Sequence, residues 1–171
     1  MENKIVWLTG LSGSGKTTLA YHLKKKLLNK KKKVLIIDGD KFRKKNKTKN
    51  IFSKKNIYKN NLLIIENILK NKKKYNFTIV SVISPLKKTR LLAKKTFGKS
   101  YFEVFVNCTI KELFKRDTKQ LYMKAKKNII KNLIGYNSKI IYEKTNYKKI
   151  KVNTHLETIH ESTRKILNKI N

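Results

Sequence analysis

Acidic residues are scarce in this chain: ten Asp and Glu stand against 44 Lys and Arg, a formal net charge of +34 over 171 residues. There is one cysteine, one proline and only six glycines. A lone Cys108 excludes an intramolecular disulfide and suits a reducing compartment. No apolar run approaches the roughly 20 residues of a membrane span. Glu2 and Lys4 precede an apolar run too short for a secretory leader. These absences predict a cytoplasmic protein without a membrane partner. The length suits a single domain, 1–171, with one core. The basic charge is spread evenly: Lys24-Lys25-Lys26, Lys30 to Lys33 and Lys72 to Lys74 fall at predicted helix ends or in loops. That pattern predicts non-specific polyanion binding at low salt and no specific nucleic-acid partner.

Where the scarce residues do occur is informative. Four of the six glycines lie in two places, Gly10-Leu11-Ser12-Gly13-Ser14-Gly15-Lys16-Thr17 and Asp38-Gly39-Asp40. The first fits G-x-x-x-x-G-K-[ST], the phosphate-binding loop. Ile5-Val6-Trp7-Leu8 before it reads as a strand, and Leu19, Leu23 and Leu27 after it recur at helical spacing. Strand, glycine turn and helix is the order the chemistry requires, because backbone N–H groups at a helix N-terminus then face phosphate oxygens. Lys16 would reach the β- and γ-phosphates and the Thr17 hydroxyl would ligate Mg²⁺, with Thr18 opening the helix beside them. A nucleoside triphosphate is the expected ligand.

Further along, Val34-Leu35-Ile36-Ile37 reads as a strand buried on both faces, ending in Asp38 and Asp40 where α/β folds place their ligands. Residues 41–52 have little periodicity and read as irregular and substrate-facing. A helix is predicted from Ser53 to about Lys72, with Leu62, Ile65 and Leu69 on one face. Phe77–Ile83 is a second buried strand, leading to Ser84-Pro85 as N-cap and first residue of a helix. Tyr101–Val106 is a strand, and Thr109-Ile110-Lys111-Glu112 has capping-box spacing for a short helix through Arg116. Residues 117–149 read as a lid. Lys149–Val152 is a last strand, and Thr154 with Glu157 begins a final helix with Ile159, Ile166 and Ile170 inward. Alternating strands and helices predict an α/β fold with a parallel sheet.

These motifs together resemble the adenylyl-sulfate kinases. The resemblance runs nearly end to end, through the phosphate loop, Asp38-Gly39-Asp40 with Arg43 (the family's DGDxxR), Phe52-Ser53 with Asn60, Ile83-Ser84-Pro85 with Arg90, Phe102–Val106, and Arg116-Asp117, Lys119 and Leu121-Tyr122 (the family's RDPKGLY). It implies a three-layer P-loop kinase fold with a central parallel sheet and a helical lid. The implied reaction is transfer of the γ-phosphoryl of Mg²⁺-ATP to the 3′-hydroxyl of adenylyl sulfate. On the donor side Arg116 joins the loop. Asp38 is assigned to the metal with Thr17 and Asp40 to the acceptor proton, two roles that exchange readily. Arg43, Phe52, Asn60, Ile83, Ser84, Lys131 and Leu133 fall on the acceptor side. Ser84 carries either a catalytic role or that of a helix cap. The resemblance also implies a homodimer.

The chain departs from the family in its acceptor half. Counted from Asp38-Gly39-Asp40, Ile57 takes the place of an arginine that helps hold adenylyl sulfate. Leu133 stands where IKGFTG has an adenine-stacking aromatic, in Ile130-Lys131-Asn132-Leu133-Ile134-Gly135. Thr118 and Gln120 replace the Pro and Gly of RDPKGLY, and the spacing near Tyr142-Glu143 is about two residues longer. A related P-loop kinase with another nucleotide or small hydroxyl acceptor is one alternative. A basic ATP-binding protein without kinase activity is the other.

Overall fold

In β1 (Lys4–Thr9) successive side chains serve opposite faces of one sheet. Ile5 and Trp7 enter one apolar cluster, and Val6 and Leu8 enter another. The fold is built outward from that strand. A computed structural model, which describes residues 3–46 and 53–170, places it at the centre of an all-parallel sheet. Its partners are β2 (Val34–Asp38), β3 (Phe77–Ser81), β4 (Tyr101–Asn107) and β5 (Ile150–Asn153), in the order β2-β3-β1-β4-β5. Helices α1 (Lys16–Asn29) and α7 (Ile159–Ile170) cover one face, burying Leu19, Leu23, Leu27, Ile166 and Ile170. Helices α3 (Lys54–Asn71) and α4 (Lys87–Phe97) cover the other with Ile64, Ile65, Ile68 and Ala93. Three layers result. The chain builds β2 and β3 on one side of β1 before crossing to β4 and β5, which opens a crevice at the carboxyl ends of the strands.

Several sequence expectations are corrected by the packing. β2 is an edge strand, so Leu35 and Ile36 are only half-buried. Part of the segment expected to be irregular is a short helix, α2 (Gly39–Lys45), started by Asp38, whose Oδ1 accepts from the amides of Asp40 and Lys41 at 3.1 Å each. The inward face of α3 is Ile57, Asn61, Ile64, Ile65 and Ile68, whereas Leu69 is exposed. Strand β3 stops at Ser81.

Ser84 does not cap α4. The helix begins at Lys87, whose amide is held instead by the Glu143 carboxylate at 2.6 Å, a cap supplied from far along the chain. Helix α7 starts one turn later than expected. Thr158 and Glu161 form its reciprocal capping box: the Glu161 amide donates to Thr158 Oγ1 at 3.2 Å and the Thr158 amide to Glu161 Oε2 at 2.8 Å.

Residues 117–149, expected from the sequence to form a lid, follow α5 (Ile110–Arg116), which has the expected Thr109 cap. Their one helix is α6 (Leu121–Lys126), whose first amides at Tyr122 and Met123 donate to the Asp117 carboxylate at 3.1 and 2.9 Å. Turns and extended chain make up most of the rest. Gly135, at φ +88°, packs against the loop residue Leu11, and a Cβ there would lie 2.6 Å from Leu11 methyl carbons.

Residues 142–147 lie as a strap across β4 and α4. Arg90 and Glu103, both buried, hold it as an ion pair 3.5 Å apart. Arg90 donates to the carbonyls of Ser84 and Glu143, while the Tyr147 hydroxyl donates to Glu103. Among the described residues no helix is long and apolar enough to cross a membrane.

Candidate active site

The loop between β1 and α1 leaves the sheet at Gly10, where φ is +144° and a Cβ would lie 2.4 Å from the Val106 carbonyl oxygen. Only glycine passes there. Helix α1 has no side-chain cap and no acid in its first turn, so its leading N–H groups remain available to an anion. Lys16 is buried and its ammonium donates to the Leu11 carbonyl at 2.6 Å, with Ser14 Oγ at 3.4 Å. Burial lowers its pKa to about 7, against the opposing pull of the Asp40 carboxylate. Two more side chains brace the loop from outside: the Tyr122 hydroxyl donates to Ser12 O at 2.8 Å, and Thr154 Oγ1 to Ser14 O at 2.9 Å.

Opposite the loop, the Thr17 hydroxyl donates to Asp38 Oδ2 at 2.9 Å, and Ser81 Oγ lies 3.2 Å from it. Three hard oxygens converge, the donor type that suits Mg²⁺. Asp38 Oδ1 is committed to capping α2, which leaves Oδ2 facing the Thr17 hydroxyl. Asp40 pairs with Arg43 and with Lys119. Burial pushes its pKa up, but the Lys119 hydrogen bond and the charges of Arg43, Lys119 and Lys16 outweigh that, and the carboxyl sits below the usual range. These groups, with Thr18 and Arg116, surround a cleft of about 290 Å³. Gly10, Leu11 and Ser14 shape the loop without lining it.

A smaller cavity of about 50 Å³ adjoins this cleft, and Arg43, Val82 and Ile83 line both. Its other walls include Ile57, Asn60, Asn61, Ser84 and Ile134. Asn60 is buried, and its Oδ1 has no hydrogen-bond partner among the described residues. Ser84, at φ +44°, donates its hydroxyl to Asn61 Oδ1 at 2.8 Å.

The predicted acceptor residues are thus partly brought together: Arg43, Asn60, Ile83 and Ser84 meet there. Leu133 instead packs in the cluster with Cys108, Leu113 and Tyr122, its neighbour Ile134 lines the cavity, and Lys131 is exposed. Phe52 lies outside the described residues. Sequence reasoning placed none of Ser81, Tyr122 and Thr154 in the site, and gave Thr154 only the start of the final helix. Tyr122 lies inside the block matching RDPKGLY, which was the available signal; Ser81 and Thr154 reach the loop only through the fold.

A parallel sheet with a phosphate loop after its central strand, a hydroxyl and carboxylate set beside it and a second cavity across the cleft defines a P-loop kinase. The family model described as adenylylsulphate kinase matches residues 2–153, and the chain belongs to that family. A probable adenylyl-sulfate kinase of Pyrococcus abyssi is 38% identical over 169 residues, covering 99% of this chain and 95% of its own length. The adenylyl-sulfate kinase of Clostridium kluyveri is 34% identical, covering 95% of this chain and 81% of its own length. Among solved structures, an adenylyl-sulfate (APS) kinase of Mycobacterium tuberculosis in complex with AMPPNP and APS superposes with a TM-score of 0.88 at 28% identity, covering 98% of this chain and 96% of the other. A gluconokinase from Sinorhizobium meliloti, 12% identical with a TM-score of 0.69, shares the fold.

Proposed function

We propose that the chain is an adenylyl-sulfate kinase, moving the γ-phosphoryl of ATP to the 3′-hydroxyl of adenylyl sulfate and releasing ADP. The observation that carries this reading is the pair of adjoining cavities in a chain of this family. One is lined by the phosphate loop and Asp40 and the other by Asn60 and Ser84, with Arg43, the ion-pair partner of Asp40, shared between them. The loop amides and Lys16 bind the triphosphate, and Arg116 offsets charge that spreads over the transferring group. Thr17 and Asp38 would hold Mg²⁺, which supplies charge neutralisation at the β- and γ-phosphates.

Asp40 has a lowered pKa and is therefore a weak base. Such a group suits orienting the acceptor hydroxyl and taking its proton late, when bond formation has made it acidic. Ser84, buried and already bonded to Asn61, serves the acceptor wall as a positioning group. The reducing cytoplasm is the proposed compartment.

Purified protein with Mg²⁺ and ATP tests the reading. ADP release should rise on adding adenylyl sulfate, stop on chelating the metal, resume on restoring it, and vanish in Lys16→Ala. Turnover only with other hydroxyl acceptors would transfer the protein to a different kinase class.

A further inference from the structure

We infer that Thr154 is a positioning residue for the donor nucleotide, fixing the Arg116 guanidinium against the phosphate loop. Thr154 lies just past β5, beyond the residues matched by the family model. Its hydroxyl is used in both directions. It donates to Ser14 O at 2.9 Å and accepts from Arg116 Nη1 at 3.1 Å, while Arg116 Nη2 donates to the Thr154 carbonyl at 2.6 Å. The Thr154 amide is anchored in turn on Asn107 O, 3.0 Å away at the end of β4. Its methyl packs on the face of Gly15, where a Cβ would lie 3.6 Å from it.

One residue therefore ties together the loop backbone, the ends of two strands and the cation at the foot of the lid. Arg116 lines the donor cleft, yet on its own helix only Glu112 holds it, at 3.2 Å and half-exposed. A flexible guanidinium restrained by one partly exposed pair contributes little orientation. Two further bonds from its planar fork to a single residue fix both its plane and its distance from the loop. The chemistry so positioned is recognition of a nucleoside triphosphate, not of the acceptor.

The inference rests on the kinase reading, so binding is measured apart from turnover. Calorimetric titration of the intact protein with AMPPNP and Mg²⁺ compares wild type, Thr154→Val and Thr154→Ser. Loss of the hydroxyl in Thr154→Val should weaken binding about tenfold, and Thr154→Ser should restore it to within about twofold. In turnover assays KM for ATP should rise with Thr154→Val while KM for adenylyl sulfate stays within about twofold. Arg116→Lys, which keeps the charge and leaves Thr154 and the loop in place, should reproduce most of the loss because a point ammonium lacks the planar fork that spans Glu112 and both Thr154 oxygens. That variant also decides the matter if Thr154→Val fails to fold. Unchanged AMPPNP affinity in Arg116→Lys or a folded Thr154→Val, or equal rises in both KM values, would overturn the inference. Tight AMPPNP binding without turnover on adenylyl sulfate would count against the proposed acceptor alone.

Discussion

On the proposed donor side of the cleft one short run, the phosphate loop and the first turn of α1, supplies Ser12, Gly13, Gly15, Lys16, Thr17 and Thr18 to the wall; on the proposed acceptor side the task is shared by α3, residues 82–85 and Ile134. The donor wall needs glycines and one cation in fixed order, because main-chain N–H groups must point one way. The acceptor wall needs only a set of side chains delivered to one place. It is kept there by the buried Arg90–Glu103 pair, through the Ser84 carbonyl and the strap. A backbone site tolerates change nearly everywhere except in its own run. A side-chain site can be damaged from a distance.

Lys16→Ala should break the donor half outright, lowering kcat/KM by about 10³-fold (~4 kcal/mol) without loss of Tm, since a buried cation is removed. Steady-state ADP release and a thermal melt check both parts. Glu103→Ala should act on the acceptor half from beneath. It leaves the Arg90 guanidinium buried without its carboxylate, and urea denaturation should show a loss of about 3 kcal/mol. KM for adenylyl sulfate should rise in the surviving folded protein before nucleotide affinity changes.

Asn60→Leu sharpens the contrast further. Its Oδ1 is buried without a described partner, so an apolar replacement should hold or raise Tm while raising the acceptor KM about tenfold. An unchanged acceptor KM would remove Asn60 from the site.

Proton linkage separates the halves as well. Burial holds Lys16 at about 7, so the free protein carries its charge only below that pH. The unfolded chain keeps the proton to higher pH, so this group's contribution to stability rises with pH above about 7. A bound triphosphate favours the charged lysine, so binding takes up a proton. AMPPNP affinity should therefore fall above about pH 7, by at most tenfold per unit, and Lys16→Ala should abolish Lys16's contribution to that slope. The smallest effect is expected from Lys119→Ala. The Lys119–Asp40 pair is half-exposed, so stability should change by less than about 1 kcal/mol. Asp40 loses a partner that lowers its pKa, and the acidic limb of the pH–rate profile should move upward.

The same contrast explains what could be read from the sequence. The sheet, its helices and the phosphate loop follow from contiguous patterns, because apolar runs and glycine turns are local consequences of local residues. The errors sit where a distant residue decides. Ser84-Pro85 has the form of a helix start, yet Glu143 caps α4 at Lys87. Thr154 and Glu157 have the same spacing as Thr158 and Glu161, and only packing selects the second pair as the box. Leu133 matches the position of an aromatic, but the turn carries it into the cluster of Cys108, Leu113 and Tyr122 and brings Ile134 to the cavity. Ile57 was legible as a departure and does line the acceptor wall.

The contact between Gly135 and Leu11 bears on how such a protein could be recombined. A side chain at 135 would collide with the loop leucine, so the turn at Gly135 and the phosphate loop form one inheritable unit. The corresponding segment grafted from another kinase would fit only if it brought a glycine there, or if residue 11 were trimmed to match.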